Sequence, residues 1–251
     1  MDYQDINSKT FDKWNKNSWE WGKPISHEEF LEAKKGNFKL RLTPTKKIPN
    51  SWLKDIKNKK VLALASGGGQ QVPILSALGA SVTLLDYSDS QLQSDIDFAL
   101  LEGYKIETIK FDMTKGLPFS DATFDYIINP LSLCYIEDIN GLFKECSRVL
   151  KRDGYFIGAF DNGLNYATFE TDNELSLKYK LPFNPLKDEM LYNIAMLNEW
   201  GIQFSHTLEE QINALLNNNL MLLNVYEDTT GKGKLHELNI PSFMVVRAVK
   251  K

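Results

Sequence analysis

The segment Val61–Asp86, VLALASGGGQQVPILSALGASVTLLD, decides the fold of this 251-residue chain. Its first five residues, Val61–Ala65, are apolar at every position, as a strand buried on both faces requires. A glycine turn follows, and Val72–Leu78 then has the spacing of a helix. Ser81–Leu85 is a second apolar run and ends at an aspartate. The order strand, turn, helix, strand predicts a βαβ unit within a parallel sheet.

The same alternation continues to residue 160 and returns near the end of the chain. Five more strands are predicted at Ile106–Phe111, Phe124–Ile128, Tyr155–Phe160, Leu220–Tyr226 and Ser242–Val249. The last two are separated by a stretch too short for a helical crossover, so they should pair antiparallel. The predicted fold class is α/β, a three-layer sandwich whose mostly parallel, seven-stranded sheet ends in a C-terminal antiparallel hairpin.

Two helix starts carry the pattern of a capping box, in which a hydroxyl and a Glu or Gln three residues later satisfy each other's backbone amides. Ser88 and Gln91 form the first, before a helix that should end at Gly103. Thr207 and Glu210 form the second. These starts place a helix directly after the second strand and another before the final hairpin.

The regular pattern is interrupted in two places, and these suggest the domain organisation. Residues 1–57 are predicted to be an N-terminal cap segment, and residues 58–251 the main domain with an insertion at about 161–205. Residues 1–57 and the insertion are both rich in aromatic residues, and we expect them to form together a small helical and aromatic cap. They hold Trp14, Trp19, Trp21 and Trp52, and Tyr166, Phe169, Tyr179, Phe183, Tyr192, Trp200 and Phe204. These rings either contact a substrate or pack within the cap itself.

Composition excludes several classes of function. The net charge is −4, without the basic cluster that a nucleic-acid backbone requires, so no nucleic-acid partner is expected. No apolar run approaches the length of a membrane span, and the polar start does not resemble a signal peptide. Two cysteines cannot form a disulfide framework, and three scattered histidines predict no metal site. We therefore expect a cytoplasmic protein.

The glycine turn and the aspartate that ends the second strand indicate a nucleoside site. Because glycine has no side chain, a ligand can approach the backbone of the turn closely. Asp86 can accept hydrogen bonds from both hydroxyls of a ribose. A dinucleotide fingerprint needs a third glycine, but position 72 is valine. NAD and FAD are therefore the less favoured ligands.

Five segments in the correct order resemble the class I S-adenosylmethionine-dependent methyltransferases. They are VLALASGGG (Val61–Gly69), LLDYS (Leu84–Ser88), FDM (Phe111–Met113), LPFSDATFDYI (Leu117–Ile127) and RVLKRDGYFIG (Arg148–Gly158). The chain resembles in particular a bacterial subgroup of unassigned substrate. Its marks are LTPT (Leu42–Thr45), Trp52, SGGGQQ (Ser66–Gln71), SDSQL (Ser88–Leu92) and NPLS (Asn129–Ser132). The resemblance implies a Rossmann-like fold and S-adenosyl-L-methionine as cofactor.

The resemblance also implies a set of cofactor-binding residues. Asp86 would hold the ribose, Asp112 and Met113 would border the adenine, and backbone near Asn129 would line the methionine portion. The full implied set is Ala65, Ser66, Gly67, Gly68, Gly69, Gln70, Asp86, Tyr87, Ser88, Gln91, Asp112, Met113, Asn129 and Pro130. Asp112 could instead cap a turn and Met113 could be core packing.

The first motif departs from the family pattern, because Ala63 replaces the usual acid and Ala65 the usual first glycine. Gln70 or Gln71 could supply polar contacts in place of the acid, or could cap the following helix.

The sequence thus predicts a methyltransferase that acts on a small molecule by in-line displacement, a reaction that needs positioning more than acid–base groups. No catalytic residue is assigned. Cys134 is interpreted as an inert thiol, and His206 as a surface or capping residue. The alternatives are a protein that binds S-adenosylmethionine without catalysis and, less favoured, an NAD-dependent oxidoreductase. Neither the acceptor atom nor the oligomeric state follows from the sequence.

Overall fold

The computed structural model of the chain describes residues 2–171 and 174–251. Within these residues seven strands form one sheet in the order β3-β2-β1-β4-β5-β9-β8, and two short strands form a separate hairpin. The strands are β1 (Lys60–Leu64), β2 (Ser81–Asp86), β3 (Glu107–Lys110), β4 (Phe124–Asn129), β5 (Leu150–Asp161), β6 (Thr168–Glu170), β7 (Leu175–Leu177), β8 (Leu220–Asp228) and β9 (Phe243–Lys250).

Strands β1 to β5 run parallel, and β9 lies antiparallel between β5 and β8. The predicted sheet and its C-terminal hairpin are therefore confirmed. β1 is central: Val61 pairs with Val82 of β2 on one side and with Tyr126 of β4 on the other. The connections leave β1 in opposite directions, and such a switch point opens a crevice at the carboxyl ends of the strands.

Helices cover both faces of the sheet. They are α1 (Tyr3–Lys16), α2 (His27–Lys34), α3 (Val72–Ala77), α4 (Asp89–Glu102), α5 (Ile139–Val149), α6 (Leu164–Ala167), α7 (Glu189–Leu197), α8 (Leu208–Asn217) and α9 (Gly233–Glu237). In the described chain, none of these helices has both the length and the apolar character needed to cross a membrane.

Alternating residues of the strands fill two cores. Leu62 and Leu64 pack with Phe143 of α5 on one face, while Val61 and Ala63 pack with Leu75 of α3 on the other. This alternation follows from the two-residue period of a strand and gives the predicted three layers.

The predicted capping box at Ser88 forms only in part. The Ser88 hydroxyl accepts a hydrogen bond from the Gln91 amide at 3.2 Å, so the helix start is confirmed. The Ser88 amide, however, donates to Asp86 at 3.0 Å instead of to the Gln91 side chain. The Gln91 side chain is turned toward α1, where its oxygen lies 3.3 Å from Asn15 Nδ2. Asp86 therefore accepts the hydrogen bond from the Ser88 amide that the Gln91 side chain would accept in a complete capping box.

Much of the N-terminal segment belongs to the main core. Leu40, Ile48, Trp52 and Ile56 are buried in the same cluster as β1 and β2. The Trp52 ring lies 5.9 Å from that of Tyr226, centroid to centroid, so this tryptophan packs in the core and faces no ligand. A domain division at residue 57 stays a prediction.

The insertion has a small core of its own. Ala195, Ile202 and Phe204 are buried together, with Tyr192 and Tyr3 packed against them. The rings of Tyr3 and Phe204 meet edge to face at 5.3 Å. Since Tyr3 belongs to α1, the N-terminal helix and the insertion cap the same side of the molecule.

Candidate functional site

A cavity of about 280 Å³ lies at the carboxyl ends of β1, β2 and β4. Its wall is built from α1 and the following turn, from the loops after the central strands, and from loops near the C-terminal hairpin. Ten of the fourteen residues implied by the sequence line it. They are Ala65, Gly67, Gln70, Asp86, Tyr87, Ser88, Gln91, Asp112, Met113 and Pro130.

Asp86, the last residue of β2, has both carboxylate oxygens facing backbone amides. Oδ2 accepts from Gly67 at 3.0 Å and Oδ1 from Ser88 at 3.0 Å. A carboxylate has about four lone-pair positions, so acceptor capacity remains for a ligand. Burial raises the pKa of Asp86 above its ordinary value, and the negative charge of Asp12 adds to this effect. Ligand hydroxyls donating to Asp86 would stabilise the ionised form.

The three glycines of the turn are needed for different structural reasons. A Cβ on Gly67 would lie 2.6 Å from Gln91 Cβ and 2.9 Å from Asp86 Oδ2, so only glycine lets the turn approach Asp86. Gly68 and Gly69 have φ of +106° and +78°, and a Cβ there would meet the Trp21 carbonyl at 2.5 Å and Pro24 at 2.7 Å. These two glycines make room for the chain's own N-terminal segment.

Four implied residues do not line the cavity: Ser66, Gly68, Gly69 and Asn129. The Ser66 hydroxyl lies 3.3 Å from the carbonyl of Ile128, and Asn129 Nδ2 donates to the Leu64 carbonyl at 2.8 Å. Ser66 and Asn129 thus hold the ends of β1 and β4 together.

Asp112 caps a turn and Met113 packs in the core, as the alternative interpretations proposed, and their contact with adenine stays a prediction. Asp112 Oδ1 accepts from the Thr114 amide at 3.0 Å and caps the short 3₁₀ helix Met113–Lys115. Its Oδ2 lies 3.2 Å from Lys115 Nζ. Met113 packs against the core on the α5 face of the sheet. Both side chains also line the cavity.

Gln70 and Gln71 bind the N-terminal segment and do not cap the helix. Gln70 Nε2 donates to the Glu20 carbonyl at 3.1 Å, and Gln71 Nε2 to the Arg41 carbonyl at 2.9 Å. Ala63, at the position of the family's acid, is fully buried in β1. Gln70, Gln71 and Arg41 all line the cavity and bring polar groups to this part of its wall.

Helix α1 closes the cavity beside Asp86 mainly through polar contacts. The Ser8 hydroxyl donates to the Tyr87 carbonyl at 2.8 Å, and the Tyr87 hydroxyl donates to Asp5 at 3.0 Å. Asp12 accepts from the Ser88 hydroxyl at 2.6 Å and from the Ser90 amide at 3.0 Å. Although burial alone would raise it, these hydrogen bonds hold the pKa of Asp12 below its usual value.

Of α1, sequence reasoning named only Trp14 as a possible substrate contact; Trp14 does not line the cavity, yet other residues of this helix supply part of the wall. Gln4, Asn7, Ser8 and Phe11 line the cavity. The buried residues of the helix are polar, Gln4 and Asn7, and three of the four residues that line the cavity are polar, so an apolar pattern in the sequence does not identify them.

On the side away from β2, the LTPT segment forms the wall and is held by Asp228, the last residue of β8. Asp228 Oδ2 accepts from the Thr45 and Lys46 amides, each at 2.9 Å, and Oδ1 accepts from the Thr45 hydroxyl. Two more side chains line the cavity: Lys232, whose Nζ lies 3.6 Å from Glu20, and Tyr166 of α6. Trp19 and Trp21 also line the cavity, so part of the expected aromatic wall is present.

Cys134 and His206 offer no catalytic group at the cavity. Cys134 is buried with its Sγ 3.6 Å from the Tyr166 hydroxyl, and burial raises the pKa of its thiol well above the ordinary value. The interpretation as an inert thiol agrees with this environment. The interpretation of His206 as a surface residue was wrong: it is buried, and its Nε2 donates to the Ile136 carbonyl at 2.8 Å.

Several known proteins similar to this chain are methyltransferases. Residues 62–158 match a family described as a methyltransferase domain. The uncharacterized methyltransferase YbaJ of Bacillus subtilis is 38% identical over 231 residues, which cover 90% of each chain. An S-adenosylmethionine-dependent methyltransferase from Mesorhizobium loti superposes with a TM-score of 0.66 at 19% identity, covering 80% of this chain and 94% of that one. Geranyl diphosphate C-methyltransferase from Streptomyces coelicolor, solved with S-adenosyl-L-homocysteine, gives 0.57 at 18% identity, with 80% and 76% covered.

Proposed function

The chain belongs to the class I S-adenosylmethionine-dependent methyltransferases, and we propose that it methylates a small molecule held in the same cavity as the cofactor. One observation carries this proposal: the wall beside Asp86 and the wall formed by the LTPT loop and Tyr166 line the same cavity. Donor and acceptor can therefore be held next to each other in one site.

The donor half of the cavity fits the cofactor. Asp86 has acceptor capacity for ribose hydroxyls, and Gly67 keeps the turn free of a side chain that would strike that carboxylate. We place the adenine between Tyr87 and Met113, and the methionine portion toward Gln70 and Pro130. Direct contacts from Ser66, Gly68, Gly69 and Asn129 are not part of this proposal.

When bound, the cofactor would supply a methyl group attached to a sulfonium sulfur, and in-line attack on that methyl group would release the sulfur as a neutral thioether. The residues of this chain position the two reactants and exclude water. Phe11 and Tyr135, whose rings meet at 4.8 Å, form one aromatic wall. Among the described residues that line the cavity there is no histidine and no cysteine. An acceptor that is already a neutral amine or an anion needs no such base.

A small-molecule acceptor also agrees with the shape and charge of the protein. The cavity is covered by α1 and by the turn at Trp19–Gly22, whereas a polymer needs an open face. The net charge of −4 further disfavours a nucleic acid. A cytoplasmic location is part of the proposal, because both cysteines are free thiols, as a reducing compartment keeps them.

Calorimetric titration with S-adenosyl-L-homocysteine and, separately, with NAD tests the donor site. We expect binding of the first ligand, weakened by at least about tenfold in Asp86→Ala because hydrogen bonds to a charged acceptor are lost. Asp89→Ala, an exposed carboxylate three residues away, is the matched control and should bind normally. Preference for NAD, or full affinity in folded Asp86→Ala, would contradict the assignment.

The acceptor class can be tested with S-adenosylmethionine labelled in its methyl group. After incubation with the enzyme and a cell extract, we expect label in the low-molecular-weight fraction. Label recovered in nucleic acid or in protein would refute a small-molecule acceptor while leaving the methyltransferase activity intact.

A further inference from the structure

A second, smaller cavity lies behind the acceptor side of the site. It has a volume of about 40 Å³, belongs to the insertion, and is lined mainly by apolar and aromatic side chains, including Phe183, Leu191, Ile194 and Trp200. Tyr166 lines both this space and the main cavity. One ring therefore separates the two.

A shallow groove along α7 borders the small cavity on its outer side. Ile194 lines both spaces, and the groove continues over Met190 and Leu197. Met190 is 60% exposed and Leu197 84%, high values for large apolar side chains that lie two turns apart on the same face of one helix. Apolar side chains grouped along a groove in this way offer a surface to an apolar ligand.

The partition between the two cavities is held weakly. The Tyr166 hydroxyl lies 3.6 Å from the Cys134 sulfur, and a thiol is a poor hydrogen-bond partner. The polar Gln203 beside it is already engaged, since its Nε2 donates to the Tyr135 hydroxyl at 3.1 Å. The route past Tyr166 therefore offers apolar contact and little that would bind a charge.

We propose that the methyl acceptor carries an unbranched aliphatic tail, which passes Tyr166 and lies in the groove of α7 while the reactive group stays in the main cavity. This rests on the proposed function, because it places the reactive group beside the donor. The narrowness of the inner cavity favours a flexible chain over a ring. Its continuity with the acceptor wall favours a part of the substrate over an independent ligand.

Competition binding on protein saturated with S-adenosyl-L-homocysteine tests the tail site. cis-Parinaric acid, an unbranched polyene chain whose fluorescence rises in apolar surroundings, is bound first and then displaced by hexan-1-ol, octan-1-ol and decan-1-ol. Each added methylene should strengthen displacement by about fourfold, the fold-change that corresponds to the burial of one methylene. An affinity that does not depend on chain length would overturn the proposal.

Two aspartate substitutions on α7 locate the site. Ile194→Asp puts a charge at the junction of cavity and groove and should weaken decan-1-ol binding by at least about tenfold. Met196→Asp adds the same charge to an exposed position of the same helix outside the lining and should leave binding within about twofold. Equal effects of the two would overturn the proposal. If Ile194→Asp does not fold, the smaller change Ile194→Thr should still weaken binding by about threefold.

Two further measurements separate the alternatives. Both variants should keep the affinity of the wild-type protein for S-adenosyl-L-homocysteine. If the wild-type protein itself does not bind S-adenosyl-L-homocysteine, the proposed function is wrong, whether or not the alkanols bind. Cosedimentation with phosphatidylcholine vesicles without any alkanol binding would overturn the tail site in favour of a membrane surface.

Discussion

At the scale of single residues, Asp95 shows how the glycine turn is supported from behind. It lies on α4, fully buried, and its Oδ2 accepts from the Gly69 amide at 2.9 Å. Among the described residues its other oxygen has no hydrogen-bond partner. Burial raises the pKa of Asp95 to about 8, and the negative charge of Asp86 contributes. Burial thus favours the neutral form of this carboxyl group in the folded protein.

This burial predicts a pH dependence of stability. An unfolded aspartate titrates near 3.8 and folded Asp95 near 8, so between these values the folded state binds the additional proton. The free energy of unfolding should therefore fall as pH rises through this window, by at most about 1.4 kcal/mol per pH unit. Asp95→Asn removes the titrating group and should flatten that part of the profile.

Urea denaturation at pH values from 5 to 9 measures the effect. The control is Asp97→Asn, an exposed aspartate of α4 that pairs with Gln93 and should keep the slope of the wild-type protein. Parallel profiles for the wild-type protein and Asp95→Asn would show that Asp95 does not titrate in this range.

At the scale of elements, the central strands could be predicted because each is specified locally. The apolar run of β1 and the turn after it need no distant partner to be identified, and Asp86 follows from its place at the end of β2. The roles of Gly68 and Gly69 could not be predicted in this way, because Trp21 and Pro24 approach them only in the folded chain. His206 is buried for the same reason, through a carbonyl 70 positions away.

The position of helix α1 could not be predicted from the sequence, and its attachment to α4 can be tested. Asp12 holds it to the start of α4, accepting three hydrogen bonds from Ser88 and Ser90. In Asp12→Ala we expect amide hydrogen exchange over residues 3–16 to accelerate by about tenfold or more, since hydrogen bonds to a charged group are lost. Lys16→Ala, an exposed position in the last turn, should exchange as the wild-type protein does. Equal exchange in the two variants would show that other contacts hold the helix.

At the scale of the whole molecule, the N-terminal residues divide into two parts with different tasks. The first, up to Gly22, covers the cavity through α1 and the turn that follows it. The second, from Phe30 to Ile56, contributes to the core on the α3 face of the sheet. Its buried apolar residues are Phe30, Ala33, Leu40, Leu42, Ile48, Trp52, Leu53 and Ile56. A boundary drawn at residue 57 would therefore cut through a shared core.

Two deletions distinguish cover from core. Removing residues 2–22 exposes the cavity but leaves the core cluster intact, so thermal unfolding should stay cooperative while affinity for S-adenosyl-L-homocysteine falls by at least about tenfold. Removing residues 2–57 also takes away several large buried side chains, each contributing about 1.5–3 kcal/mol. Their sum is on the order of 10 kcal/mol, comparable with the entire stability of a domain. We therefore expect this longer deletion to lose cooperative unfolding in calorimetry. A cooperative transition in both deletions would establish residues 58–251 as an independent folding unit and residues 1–57 as a detachable cap.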